Sequence, residues 1–430
     1  MQRLIDCLRQ YRNSTLTDYD GRIYTYSELY RLVETYRRLL HQKSAVFIEA
    51  SSSAVHTLAM VITCLISRNL AILSPAVKPE VAAALRAQYP HTHTLTADGL
   101  TPHIGGAFDY PDEVNILLFT SGTGGEYRGV MLTRENMLTD IEGGVDHFYV
   151  EKETNIVCVL PLYHGFGLNV SALALLYSGC HIYFSKTESY FTCVRRVSPA
   201  YFFLTPELIK AHMKMHALAG FEKSFGQHPK YIFCGGDFIS EDLRQYADEN
   251  HIELFSSYGL TEAAPSVSAE TFGVKKRGSV GKPIACNTVE IVDGEIVVHG
   301  SNIMYGYYDT YRQGDGKPVN VLYTGDLGRI DDEGYLYVTG RKKNLLVFDN
   351  GKKIFAEAIE SKLAEWHNGC EFLAYLRENR LHIEYFGSCA ERQIRDTLGT
   401  FLSPYHITAR ILKRERPFAR TLTGKIKRVT

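Results

Sequence analysis

Hydroxyls and glycines crowd one short stretch of this chain: Thr120-Ser121-Gly122-Thr123-Gly124-Gly125-Glu126-Tyr127-Arg128-Gly129. The apolar run from Val114 to Phe119 precedes it and reads as a buried strand, and Thr133 stands ready to cap a helix beginning at Arg134. Glycine carries no Cβ and tolerates φ > 0, so such a loop can turn several backbone N–H groups toward one anion. The hydroxyls of Thr120, Ser121 and Thr123 add donors. The chemistry is that of a polyphosphate cradle, and an ordinary Gly/Ser/Thr-rich turn is the competing reading. Spelling excludes two sharper alternatives. Arg128-Gly129-Val130 is not the Gly-Lys-Ser/Thr ending of a Walker loop, and Tyr127 stands where a dinucleotide fingerprint needs its third glycine.

Four other segments carry reactive groups at short spacing. Tyr258-Gly259-Leu260-Thr261-Glu262 offers a ring, a hydroxyl and a carboxylate after a strand. Tyr323-Thr324-Gly325-Asp326 sets one acid after a tight turn, Gly340-Arg341 sits at the expected domain boundary, and Arg420-Thr421-Leu422-Thr423-Gly424-Lys425 lies near the end. Singly, each has a plain reading as a turn aspartate, a capping threonine or a solvated lysine.

The elements that must position these groups come from the hydrophobic pattern. Up to about residue 260, short β-rich runs (45–49, 70–73, 115–119, 156–160, 180–184, 201–204, 231–234, 252–255) alternate with amphipathic stretches such as 206–216 and 240–250, the last opened by Ser240 as N-cap. This predicts α/β units with largely parallel sheets, which bind ligands at the carboxyl ends of their strands. From about 278 to 340 the texture changes to short strands and tight turns. There Asp293-Gly294 between two apolar runs predicts a hairpin in a small antiparallel sheet or barrel. A smaller α+β module follows, with a hairpin at Asp349-Asn350-Gly351, a helix over 357–366 and strands over 371–376, 381–386 and 407–412. The expected division is a large N-terminal domain over 1–340 and a small mobile domain over 341–430, with the border at Gly340 to Asn344.

Bulk properties exclude other classes. With 430 residues, 45% of them hydrophobic, the chain can bury sizeable cores. A net charge of −1 points to no nucleic acid partner. The apolar run from Ala54 to Ile66 is too short to span a membrane and reads as a buried helix. Nine dispersed cysteines without a Cys-x-x-Cys pair predict reduced thiols in a cytoplasmic protein, and the N-terminus does not read as a secretory signal.

Taken together and in this order, the five segments resemble the adenylate-forming superfamily of acyl-CoA synthetases, amino-acid adenylation domains and luciferases. The likeness runs from about Tyr24 to Arg428. It implies that Thr120, Ser121, Gly122 and Thr123 wrap the β- and γ-phosphates of ATP, with Arg128 in place of the usual lysine. It implies that Gly235, Gly236 and Asp237 line the adenine, that Tyr258 stacks on it, that Thr261 bonds the α-phosphate and that Glu262 holds Mg²⁺. Asp326 would accept both ribose hydroxyls, Arg341 would add a nearby contact, and Lys425 would be the mobile lysine that offsets charge at the α-phosphorus. His164, in Pro161-Leu162-Tyr163-His164-Gly165, would guard the acyl pocket; a histidine satisfied in a buried turn is the equal alternative. Gly165 replaces the aspartate that pairs an α-ammonium in amino-acid-activating relatives, which disfavours a free amino acid as substrate. Lys343 aligns with the family hinge.

Departures are visible too. Gly124 stands where a second threonine is usual, Tyr127 and Ala356 where prolines are usual, and the chain is short before the loop. Eight basic residues and one acid between Ile407 and Thr430 form a tail that reads as solvated or as facing phosphates of a thiol partner. The expected activity is ATP-dependent ligation of a small carboxylic acid, fatty or aryl, to the phosphopantetheine thiol of CoA or an acyl carrier protein. An amino- or hydroxy-acid adenylation domain, or a nucleotide-binding homologue without turnover, are the alternatives.

Overall fold

The computed structural model of the protein describes residues 2–40, 43–49, 52–75, 79–103, 109–121, 127–148, 150–227, 231–316, 318–367, 369–419, 426 and 428. Gly122, Thr123, Gly124 and Lys425 lie outside the described residues.

Two sheets form the body of the protein, the first largely parallel and the second with three parallel and three antiparallel pairings. The first runs, in spatial order, Lys282–Pro283, Ser266–Ala269, Glu253–Gly259, Tyr231–Cys234, Tyr201–Leu204, Asn155–Cys158, His181–Phe184, Thr15–Thr17 and Ile23–Thr25. Its six inner strands are parallel and its edges antiparallel. From Asn155–Cys158 the chain crosses to His181–Phe184 on one side, then returns to build outward from Tyr201–Leu204 on the other. Such a reversal opens a crevice at the strands' carboxyl ends. The second sheet runs Gly306–Tyr307, Tyr127–Thr133, Val114–Ser121, Leu70–Ser74, Ala45–Glu49, His93–Thr96 and Gly99–Pro102.

Local sequence accounts for the main elements. Thr133 caps the helix Arg134–His147 in a reciprocal box with Asn136, as its position predicts. Thr25 and Glu28 form the same device at the helix Tyr26–Leu39. The apolar run Ala54–Ile66 is a helix whose only half-buried positions are His56 and Ile66. It packs in the core shared by both sheets. Ser240 occupies the N-cap of Glu241–Glu249, but its side chain makes no capping bond. Asp293 and Gly294 both have positive φ (51° and 80°) and join Asn287–Val292 to Glu295–Gly300, as a primed hairpin turn requires. That hairpin belongs to a four-stranded antiparallel sheet with Leu322–Ile330 and Leu336–Arg341.

Beyond Arg341 the chain makes a smaller α+β part with its own core. Its three-stranded sheet (Glu371–Arg377, Arg380–Phe386, Ala409–Lys413) packs on the helices Ala356–Trp366 and Glu391–Leu402. The second of these helices falls between two recognised strands and was not read from the sequence.

Cys370 and Cys389 face each other, with Cα atoms 6.3 Å apart. The two cysteines are 19 residues apart, and the antiparallel strands Glu371–Arg377 and Arg380–Phe386 between them fold back and bring their ends together.

Candidate functional site

The best-formed constellation sits where the four-stranded sheet meets the large parallel one. Thr324 donates its hydroxyl to the Ile296 carbonyl at 2.8 Å and accepts the Asp326 N–H at 3.1 Å, while Glu295 accepts the Gly325 N–H at 2.9 Å. These bonds fix the turn that presents Asp326. On the neighbouring strand Arg341 is the cross-strand partner of Asp326, and its Nε lies 2.7 Å from the carboxylate. The Tyr258 phenol donates to the other carboxylate oxygen at 2.6 Å. Asp326 is only 3% exposed, so its charge depends on these donors. Burial, then the adjoining carboxylate, pushes the Tyr258 phenol well above its ordinary pKa and keeps it a donor. Three residues drawn from positions 258, 326 and 341 thus meet in one cluster.

Tyr258 and Gly259 are the last residues of their strand rather than a loop after it. A Cβ on Gly259 would lie 2.1 Å from the Pro265 carbonyl, so only glycine lets the chain fold back there. The turn Thr261–Ala263 follows and exposes the Thr261 and Glu262 side chains in part. It is held from behind by buried polar groups with no sequence signature. Asp140, on the helix Arg134–His147, accepts the Ser266 N–H at 2.8 Å and the side-chain amides of Asn169 (2.7 Å) and Asn302 (3.3 Å). Those amides also reach the carbonyls of Ala264 and Ala263. Burial raises the Asp140 pKa to about 7 against the pull of its donors.

The strands on either side of the glycine-rich segment, Val114–Ser121 and Tyr127–Thr133, pair antiparallel. Thr120 pairs with Arg128 and Ser121 with Tyr127, so Arg128 lies on a strand leaving the loop. Its guanidinium stacks on the Tyr307 ring, 3.6 Å from the centroid, and the Tyr307 phenol donates to Glu262 at 2.7 Å. Tyr307 was missed from sequence: it lies 45 residues from Glu262 and no motif links them.

His164 follows the strand Asn155–Cys158, at the topological reversal. Its Nε2 is buried without a hydrogen-bond partner, its ring lies 4.6 Å from that of Tyr163, and burial lowers its pKa to about 4. Gly165 begins a π-helical stretch, Phe166–Leu173, in which the Ala174 N–H reaches the Asn169 carbonyl. A Cβ on Gly165 would lie 3.0 Å from Pro265, so close packing against the Thr261 turn is itself a reason for glycine there. Gly235 ends the strand Tyr231–Cys234 and would carry a Cβ 2.5 Å from Ser257 Oγ and 3.7 Å from the Phe166 ring. It therefore adjoins both the Tyr258 strand and the His164 segment. Gly236 has φ +88°, and Asp237 is exposed at the rim, accepting the Phe238 N–H.

No group of three His, Cys, Asp or Glu able to cage a metal occurs among the described residues. Glu262 is a single carboxylate near a polar loop. That donor set fits Mg²⁺, which is usually held by one or two carboxylates together with substrate phosphates.

The model of the AMP-binding enzyme family matches residues 43–308. A 2-succinylbenzoate–CoA ligase of Enterococcus faecalis is 27% identical over 268 residues, covering 59% of this chain and 54% of that protein. A 4-coumarate–CoA ligase of Nicotiana tabacum is 28% identical over 289 residues, covering 60% and 52%. The match thus spans about half the length of these curated relatives. Among solved structures, the O-succinylbenzoate CoA synthetase of Bacillus subtilis in complex with AMP shares the fold at a TM-score of 0.77, with 20% identity over 99% of this chain and 97% of that one. ATP-bound MatB of Rhodopseudomonas palustris does so at 0.79, with 18% identity over 98% and 97%. The chain belongs to the family of AMP-binding enzymes, within the adenylate-forming superfamily.

Proposed function

We propose that the protein is an AMP-forming acid–thiol ligase. A carboxylic acid attacks the α-phosphorus of ATP, giving an acyl-adenylate and pyrophosphate, and the phosphopantetheine thiol of CoA then displaces AMP. The observation that carries this reading is the Tyr258–Asp326–Arg341 cluster beside the Thr261–Glu262 turn. A carboxylate has two acceptor oxygens with several lone pairs, which suits a vicinal diol, and the phenol ring next to it offers a face for a purine.

In this reading Asp326 grips the ribose, Tyr258 stacks on adenine between the walls at Gly235, Gly236 and Asp237, and Arg341, paired with Asp326, adds a contact near the ribose and phosphate. Thr120, Ser121, Gly122, Thr123 and Arg128 hold the β- and γ-phosphates, and Thr261 donates to the α-phosphate. Glu262 would hold Mg²⁺, which when bound offsets the phosphate charge facing the incoming carboxylate. Lys425 places an ammonium at the α-phosphorus, where charge grows in the transition state. His164, neutral by its low pKa, walls the carboxylate pocket without repelling or trapping an acid as a fixed ion pair would.

The relatives that join 2-succinylbenzoate or 4-coumarate to CoA support an aryl-type acid, and CoA over a carrier protein. Gly165 offers no carboxylate for an ammonium, which favours such acids over amino acids. We place the border of the two domains at Gly340 to Asn344, supported by the separate hydrophobic core that begins at Leu346. We place the protein in the cytoplasm, where ATP and CoA are supplied; no helix among the described residues is long and apolar enough to cross a membrane. Pyrophosphate release over a panel of carboxylic acids, with and without CoA, tests the reading. Release that needs an acid, with a thioester formed only when CoA is present, is the expected result. No release with any acid would overturn it.

A further inference from the structure

We propose that Tyr307 is a positioning residue for the Mg²⁺-binding carboxylate, fixing Glu262 with its phenol while its ring anchors the Arg128 end of the phosphate hairpin. This rests on the proposed role of Glu262.

The segment Met304–Tyr307 stitches two parts of the site together. The Met304 N–H bonds the Glu262 carbonyl at 2.9 Å, and the Tyr305 N–H bonds the Met131 carbonyl at 2.8 Å. Gly306–Tyr307 then adds an edge strand, with Tyr307 opposite Val130. Arg128 lies two residues from Val130 and so on the same face, a diagonal neighbour of Tyr307 within reach of a long side chain. The stack at 3.6 Å follows from that register. Glu262 is thereby held twice by one segment, at its backbone carbonyl and at Oε1. The second carboxylate oxygen is left to face a cation, and the side chain loses its freedom to swing.

Arg128 is the complement of this arrangement. Its planar guanidinium stacks on the ring and still presents N–H edges toward an anion, which a lysine ammonium in the same place would not do. A change in the cation's occupancy is therefore felt at the hairpin through one aromatic side chain. Partners that orient a metal-binding group are worth about 10- to 100-fold in metal affinity.

The test is calorimetric binding of ATP to the full chain, titrated with Mg²⁺ and repeated in EDTA, for the parent, Tyr307→Phe, and both in a Glu262→Gln background. Tyr307→Phe keeps the ring and the stack and removes only the donor. The expected result is a rise of about tenfold in the Mg²⁺ concentration for half-maximal ATP binding, with unchanged affinity in EDTA. In the Glu262→Gln background the same substitution should add nothing. A parental Mg²⁺ dependence in Tyr307→Phe overturns the proposal, as does an equal loss with and without Mg²⁺, which marks a merely structural tyrosine. Parental ATP binding that ignores Mg²⁺ overturns the assigned role of Glu262, and the proposal with it.

Discussion

At the scale of single residues, the site is built from charges that are costly unless paired. Asp326 is buried and relies on Tyr258 and Arg341. Asp326→Ala should raise the KM for ATP by about 10- to 100-fold, the worth of a charge-assisted hydrogen bond to a ribose hydroxyl, with a smaller change in kcat. Steady-state pyrophosphate release against ATP concentration checks this. His164 makes a different prediction. Its pKa is about 4 in the folded chain against an ordinary 6.5, because burial disfavours the imidazolium. The unfolded chain therefore binds a proton that the folded chain does not between those values. Stability falls as pH drops from about 6.5 toward 4 and is unaffected by this group above that window. Denaturant unfolding of the parent should show a steeper loss through the window than His164→Gln. Equal slopes would refute the burial of a neutral imidazole.

At the scale of elements, the turn bearing Thr261 and Glu262 has its position set from behind by the helix Arg134–His147. Asp140 on that helix is the acceptor for three donors that converge on the turn. Asp140→Ala leaves the Ser266 N–H without its acceptor and takes one acceptor from each of the Asn169 and Asn302 amides, and should destabilise the fold by about 2 kcal/mol, read as a lower denaturant midpoint. The helix start is independent of that network. Thr133→Ala removes a capping bond to the Asn136 N–H and should cost about 1 kcal/mol while leaving the KM for ATP near the parental value. The same denaturation series, paired with kinetics, separates the two effects.

At the scale of the whole molecule, the proposed chemistry divides between two cores joined through residues 340–344. The large part carries Tyr258 and Asp326, while Arg341 stands at the junction and pairs with Asp326. Lys342 is tied back by an ion pair to Glu295, the residue that also holds the Asp326 turn. The junction and the turn bearing Asp326 are thus tied to the same carboxylate. Lys425→Ala should slow acyl-adenylate formation by about 10²–10³ while leaving thioester formation from supplied acyl-adenylate unchanged. Single-turnover assays of each half-reaction check it; equal loss in both would remove Lys425 from its assigned step.

The sequence by itself determined the local decisions. Thr133 before an amphipathic run reads as a cap, Asp293-Gly294 between apolar runs reads as a hairpin, and Ala54–Ile66 reads as a buried helix, because each depends on neighbours a few residues away. The order of short motifs was enough to identify the family and to nominate Tyr258, Glu262 and Asp326. Only the tertiary structure decided which distant groups touch. Tyr307 meets Glu262 and Arg128 because an edge strand is registered on Val130, and Asp140 meets Asn169, Asn302 and Ser266 because four separate elements converge. The Cys370–Cys389 pair likewise follows from strand pairing rather than spacing. Motif spelling records what a loop can do locally, but contacts across 45 or more residues are set by sheet register and packing, which no single stretch of chain encodes.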